Sequence, residues 1–218
     1  MTTLSEENYL KAIYHIGKQG NIAVSTNSIA EKMRTKASSA TDMIKKLAEK
    51  KLVDYKRYQG VTLTEKGRLI AAIVVRKHRL WEVFLVEKLN FSWDEVHDVA
   101  EQLEHIKSEK LTNELDALLG FPTEDPHGDP IPDKEGYIKE TEKILLSQIN
   151  IGEQCICVGV KDSSTEYLKY LDKNKVALGT SLAVISKEPF DNSMRIAIES
   201  EQLVISNVVA NNLFVKRD

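Results

Sequence analysis

Near residue 50 the hydrophobic period changes from helical to alternating, and few folds accommodate that order. Before it, apolar residues recur at helical spacing: Leu10, Ile13 and Tyr14, then Ile29, Ala30 and Met33, then Ala40, Met43, Ile44 and Leu47 at i, i+3, i+4 and i+7. The first helix closes by Gly20, Ile22 to Val24 is a short extended piece, and the second helix opens at Ser25 or Thr26. A turn from Arg34 to Ser38 leads into the third helix. Beyond it, Leu52 to Tyr55 and Val61 to Leu63 alternate as strands around Lys56-Arg57-Tyr58-Gln59-Gly60, a basic tip ending in a turn glycine. Helices followed by strand, tip and strand predict a winged helix-turn-helix over residues 1–68.

Thr64 is placed to cap a long helix running to about Lys88, with Leu69, Ile73, Leu80, Trp81 and Phe84 available for burial. Ser92-x-x-Glu95 has the form of a capping box opening another helix. A further helix, Ser108 to Leu119, ends at Gly120, and its Leu111, Leu115 and Leu118 form one stripe, either a dimer surface or internal core. Residues Phe121 to Pro132 hold four of the five prolines, which marks an ordered turn-rich loop or a boundary, and a charged linker follows. From about Leu145 the pattern becomes β: Cys155 to Val160, Ser181 to Lys187, Arg195 to Glu199 and Leu203 to Ser206, interrupted by a short helix near Ser164 to Leu171. Short strands separated by turns predict a small SH3-like barrel. The chain is thus expected to be mainly α with a small β part. Its expected segments are a winged helix at 1–68, an all-α dimerisation and metal-binding domain at 69–140, and an SH3-like domain at 141–218.

Charge is segregated. Residues 1–68 hold thirteen Lys/Arg against seven Asp/Glu, whereas the remainder holds seventeen against twenty-six. A basic module joined to an acidic one is what a nucleic-acid reader attached to a sensing module would show. The first ten residues carry Glu6 and Glu7 and no basic-then-apolar leader, and no apolar run approaches membrane-spanning length, so a cytoplasmic protein with no membrane partner is expected. Cys155 and Cys157, the only cysteines, sit two apart in an alternating stretch and read as small buried residues.

The chemistry concentrates on the helix after Ser92. His97, Glu101, Glu104 and His105 fall at i, i+4, i+7 and i+8, an arc of roughly 100° at 3.6 residues per turn. The preceding helix offers His78 and Glu82 at i, i+4. Such mixed nitrogen and oxygen sets suit Fe(II), Mn(II), Co(II) or Zn(II). A lone His/Glu pair at that spacing is usually a solvated face, but three of the five histidines lie here, each with a Glu nearby.

The runs Arg76-Lys-His-Arg-Leu80, Val96 to Ile106 and Asp125-Pro-His-Gly-Asp-Pro-Ile-Pro132 resemble the diphtheria-toxin-repressor and manganese-repressor family, as do Asn8 to Tyr14 and Leu63 to Arg68. Leu178-Gly179, Pro189-Phe190-Asp191 and Ala210 to Val215 resemble its SH3-like, iron-transport-A-type domain. The resemblance covers essentially the whole chain and implies a homodimeric, metal-activated repressor of metal-uptake genes that binds a palindromic double-stranded DNA operator. It implies Mn(II) or Fe(II), two ions per subunit, with Zn(II) or Co(II) able to substitute in vitro. A primary site would use Asn8, Glu101, Glu104 and His105, with His78. An ancillary site would use His78, Glu82 and His97, completed among Asp125, His127, Asp162 and Glu166. Glu101 stands where iron-type members have cysteine, a harder ligand that favours Mn(II). Asn8 stands where members have Met or Asp, and Lys11 where manganese-type members can have Glu, so the site loses negative charge.

The third helix presents Lys36, Ser38, Ser39, Thr41 and Asp42 near its start for a major groove, while Lys45, Lys46 and Arg57 at the wing suit phosphates. Two other readings share the motifs: a winged-helix regulator of an organic ligand and a metal-dependent hydrolase. Against an enzyme, the chain lacks H-E-x-x-H, G-x-S-x-G and a glycine-rich phosphate loop.

Overall fold

The computed structural model describes residues 2–56, 59–139 and 141–217. The chain divides into two units, each discontinuous in sequence. One comprises Met1–Trp81, Ala100–Phe121 and Ile131–Lys139, the other Glu82–Val99, Pro122–Pro130 and Glu140–Asp218.

In the first unit, α1 (Leu4–Ile16) starts at a reciprocal cap: Thr3 Oγ1 accepts the Glu6 N–H while the Glu6 carboxylate accepts the Thr3 N–H. It ends earlier than Gly20 because the chain doubles back, Ile22 N–H donating to the Gly17 carbonyl. Ser25 caps α2 (Thr26–Lys32), and α3 (Ala37–Glu49) follows without a side-chain cap. Strands β1 (Val53–Lys56) and β2 (Gly60–Leu63) pair antiparallel from Val53 opposite Leu63 to Lys56 opposite Gly60, and Val24 bridges to Val61. Leu10, Ile13, Ile29, Ala40, Ile44, Leu47 and Val61 are fully buried together. This is the winged helix-turn-helix read from the sequence. Arg57, at the wing tip, lies outside the described residues.

Thr64 accepts the Gly67 N–H at the start of α4 (Glu65–Leu89). A Cβ on Gly67 would sit 1.9 Å from the Leu52 carbonyl oxygen, so glycine is what lets the helix begin against the strand entry. Residues of α4 up to Trp81 count with the first unit and those from Glu82 with the second. The Ser92 N–H does donate to the Glu95 carboxylate, but the residues between form turns, and α5 spans Val96–Leu103. Glu104 and His105 therefore lie just past the helix, in a turn tightened by Ile106 N–H donating to Leu103 before Ser108 caps α6 (Glu109–Leu118). On α6, Leu115 is buried while Leu111 and Leu118 are exposed.

The second unit holds β3 (Ile144–Leu145), β4 (Gln154–Val160), α7 (Thr165–Lys173), β5 (Ser181–Lys187), β6 (Met194–Ile198), β7 (Glu201–Ile205), α8 (Asn207–Ala210) and β8 (Leu213–Arg217). The strands form one antiparallel sheet in the order β3-β8-β4-β5-β6-β7. Register shifts between Cys157 and Gly159 and between Val184 and Ser186 bend β4 and β5, as a small sheet folding over its own core requires. Cys155 and Cys157 point into that core with Leu182, Val184, Ile196 and Val215, neither in a disulfide, and burial pushes Cys157 up to about 11. The domain is SH3-like as expected. The two-residue β3 and the four-residue α8 are too short to carry a periodic signal.

Candidate metal centre

In the second unit, the Pro122–Pro130 loop lies against β4, the Val160 N–H donating to the His127 carbonyl. Glycine is required at 128: its φ is +79°, and a Cβ there would meet the Val158 carbonyl oxygen at 2.1 Å. The loop thus fixes Asp125 and His127. Asp125 Oδ1 accepts the N–H groups of His127 (2.8 Å) and Asp129 (3.0 Å), which orients the carboxylate. His127 Nε2 donates to the Trp93 carbonyl at 2.8 Å, with the indole stacked on the imidazole, and its Nδ1 faces Glu82 Oε2 at 3.7 Å. Glu82, Asp125 and His127 are only 2%, 4% and 5% exposed, and their ligand atoms lie within 4.8 Å of one another. His97, half-exposed on α5, places Nδ1 3.5 Å from Glu82 Oε1.

This set fits a divalent cation. A second hydrogen bond from the far ring nitrogen to a carbonyl is how a metal-binding imidazole is commonly held. Two buried carboxylates with a neutral imidazole carry a charge that a divalent ion balances, whereas without one the burden falls on a proton. Burial alone would lower His127, but Glu82, Asp125 and the Trp93 carbonyl outweigh it and raise the imidazole to about 9. An incoming cation would displace that proton.

A second cluster lies in the first unit, where α1 meets α4 and residues 101–105. Lys11 Nζ is 2.6 Å from Glu104 Oε2, 3.1 Å from Glu101 Oε1 and 3.4 Å from His78 Nδ1. His78 Nδ1 is also 2.6 Å from Glu104 Oε2. His105 Nδ1 turns to Glu7 Oε2 at 2.8 Å, leaving its Nε2 3.5 Å from Glu104 Oε1. Glu7 is not among the ligands expected from the sequence. The available signal was that Glu7 and Lys11 stand one turn apart on α1 and so share a face.

The other expected ligands lie outside these contacts. Asn8 is half-buried and, among the described residues, its side chain has no hydrogen-bond partner. Asp162 accepts the Ser164 N–H ahead of α7, and Glu166 is exposed in the first turn of that helix. Neither belongs to the Glu82 group. On α3, Lys36, Ser38, Ser39, Asp42, Lys45 and Lys46 are exposed, while the half-buried Thr41 hydroxyl donates to the Ala37 carbonyl. Lys45 faces Asp42 at 3.6 Å, and Lys46 faces the buried Glu6 at 3.1 Å.

A winged helix followed by helices rich in imidazole and carboxylate defines a DNA-binding regulator of the metal-responsive class. Residues 1–61 match the iron dependent repressor N-terminal DNA-binding domain, 64–133 the iron dependent repressor metal-binding and dimerisation domain, and 144–217 the FeoA domain. The iron-dependent repressor IdeR of Mycobacterium tuberculosis is 35% identical over 126 residues, a stretch covering 58% of this chain and 54% of that protein. This chain thus matches about half the length of that curated relative. A helix-turn-helix-type transcriptional regulator of Methanocaldococcus jannaschii, described as uncharacterised, is 37% identical over 115 residues, 53% of this chain and 92% of that protein. A solved manganese-dependent transcriptional repressor in complex with manganese superposes with a TM-score of 0.86 at 36% identity, over 98% of this chain and 100% of that one. The manganese regulator SloR superposes at 0.75 with 32% identity, over 98% of each chain. The chain belongs to the diphtheria-toxin-repressor and manganese-repressor family of metal-dependent transcriptional repressors.

Proposed function

We propose that this chain is a metal-activated repressor controlling metal homeostasis, acting as a homodimer on palindromic double-stranded DNA, with Mn(II) or Fe(II) as activator and no catalytic role. The observation that carries the reading is the buried Glu82, Asp125 and His127 set, in a chain whose N-terminal unit is a winged helix. His97 adds a donor beside Glu82 from α5, and His78 stands one turn before Glu82 on α4.

For DNA, α3 starts without a side-chain cap or an acidic first turn, which leaves its first N–H groups suited to a phosphate. Lys36, Ser38 and Ser39 flank that start; Asp42 and Lys45 follow on the exposed side, beside the half-buried Thr41. Lysine contacts set register and affinity, while the short polar side chains read base edges. Leu111 and Leu118, exposed on α6, supply apolar surface for the dimer within the region matching the dimerisation domain. A ligand shifts a conformational equilibrium only by its differential affinity, so the metal must bind the DNA-competent arrangement more tightly. By linkage, DNA must then tighten metal binding by the same factor.

The test is anaerobic fluorescence anisotropy of a palindromic promoter fragment with chelator, Mn(II), Fe(II) and Zn(II) in turn. Tight binding only with metal is expected. Equal binding in chelator would refute metal activation and favour a regulator of an organic ligand.

A further inference from the structure

The resemblance implies a divalent ion where α1 meets residues 101–105, but the side chains there do not fit one. Among the described residues, Glu101, Glu104 and His105 do not bring three ligand atoms within 4.8 Å of one another. His105 turns Nδ1 to Glu7, and Asn8 offers only a neutral side chain. The Lys11 ammonium occupies the space between the acceptors that converge.

We propose that Lys11 is a built-in cation: its ammonium takes the place of a metal ion between Glu101 and Glu104, beside His78, tying α1 to residues 101–105 without metal. Metal is then sensed through an ion held at Glu82, with none between Glu101 and Glu104, in place of two ions per subunit. This second clause rests on the metal-responsive reading above.

The chemistry supports the substitution. The ammonium donates to two carboxylate oxygens, of Glu104 at 2.6 Å and Glu101 at 3.1 Å, and His78 Nδ1, 3.4 Å away, donates to the same Glu104 oxygen. Its side chain is 11% exposed, and its main partner, the Glu104 side chain, only 1%. A carboxylate so buried needs a positive partner, and Lys11 supplies it from one turn beyond Glu7 on the same helix. Because the cation is covalently attached, it competes at a high effective concentration against any free ion. An arriving divalent ion would have to displace the ammonium and then tolerate its charge nearby. The tie to α1 is therefore permanent, and metal response reduces to single-site behaviour.

The experiment counts Mn(II) bound per full-length chain by equilibrium dialysis. Wild type is expected to bind one ion, Lys11→Glu one more than wild type, and Lys11→Ala the same additional ion more weakly. Lys11→Ala avoids adding negative charge, and circular dichroism reports whether each variant folds. Glu101→Gln, at a half-exposed position, is expected to leave the wild-type count unchanged. An ion lost from wild type on Glu101→Gln, or no ion gained in either folded Lys11 variant, would overturn the proposal. If wild type binds no Mn(II) and its DNA affinity is indifferent to metal, the metal-responsive reading fails, while the one-ion difference between Lys11→Glu and wild type still decides the role of Lys11.

Discussion

Replacing Glu6 by glutamine probes how α1 is braced against the helix proposed to enter DNA. The Glu6 side chain is fully buried, its oxygens lying 2.8 and 2.9 Å from Lys50 Nζ and 3.1 Å from Lys46 Nζ, with the Thr3 N–H also donating to it. Glutamine keeps the shape and one acceptor for Thr3, but it turns an amide toward two ammonium groups. Those lysines are 40% and 51% exposed, so water takes them back. The cost is then mainly the lost charged hydrogen bonds, about 2 kcal/mol. At roughly 2–4 °C per kcal/mol for a chain of this length, calorimetry should show Tm falling by about 4–8 °C at pH 7. The pH dependence gives a sharper check. Burial alone would raise Glu6, but Lys50, the Thr3 N–H and Lys46 outweigh it and hold the carboxyl at about 2, below its ordinary 4.5. A group with a depressed folded pKa contributes fully above the unfolded value and loses that contribution as pH falls toward the folded one. The Tm gap between wild type and Glu6→Gln should therefore be widest near neutrality and close between about pH 4.5 and 2. A gap that is absent at pH 7, or constant down to pH 3, would refute the bracing argument.

Gly128→Ala should destabilise the second unit by at least about 2 kcal/mol in urea and abolish Mn(II) binding at His127, since both the positive φ and the Val158 carbonyl oppose a Cβ. Wild-type stability in that variant would show that the loop can shift. The Cys157 thiol, pushed up to about 11 by burial, should alkylate slowly in the native protein at pH 8 and rapidly in denaturant; equal rates would contradict its packing. Lys45→Ala should weaken DNA binding about equally across operator variants and reduce the salt slope by about 1, whereas altered operator preference would reveal base reading.

Much of the fold is local and therefore readable. The Thr64 start of α4, the Ser108 cap of α6 and the extent of β5 follow from capping chemistry and hydrophobic period, which neighbouring residues carry by themselves. The ends of elements were less readable. Helix α5 stops at Leu103, although the ligand stripe continues to His105, because the chain must turn before Ser108 opens the next helix.

Residue order carries the inventory: a winged helix, imidazoles and carboxylates at one-turn spacing, an alternating β segment with two inward cysteines, and a lysine at position 11. Which residues meet across the fold is set by packing. Spacing on one helix says which side chains share a face, but not which distant residue fills the space before it. Thus His105 turns to Glu7, Lys11 rather than Asn8 reaches Glu104 across 93 residues, and Glu82 meets Asp125 and His127 rather than Asp162 or Glu166. The last of these depends on the backbone approach of Gly128 to Val158, which brings together residues whose separation along the chain carries no signal of contact.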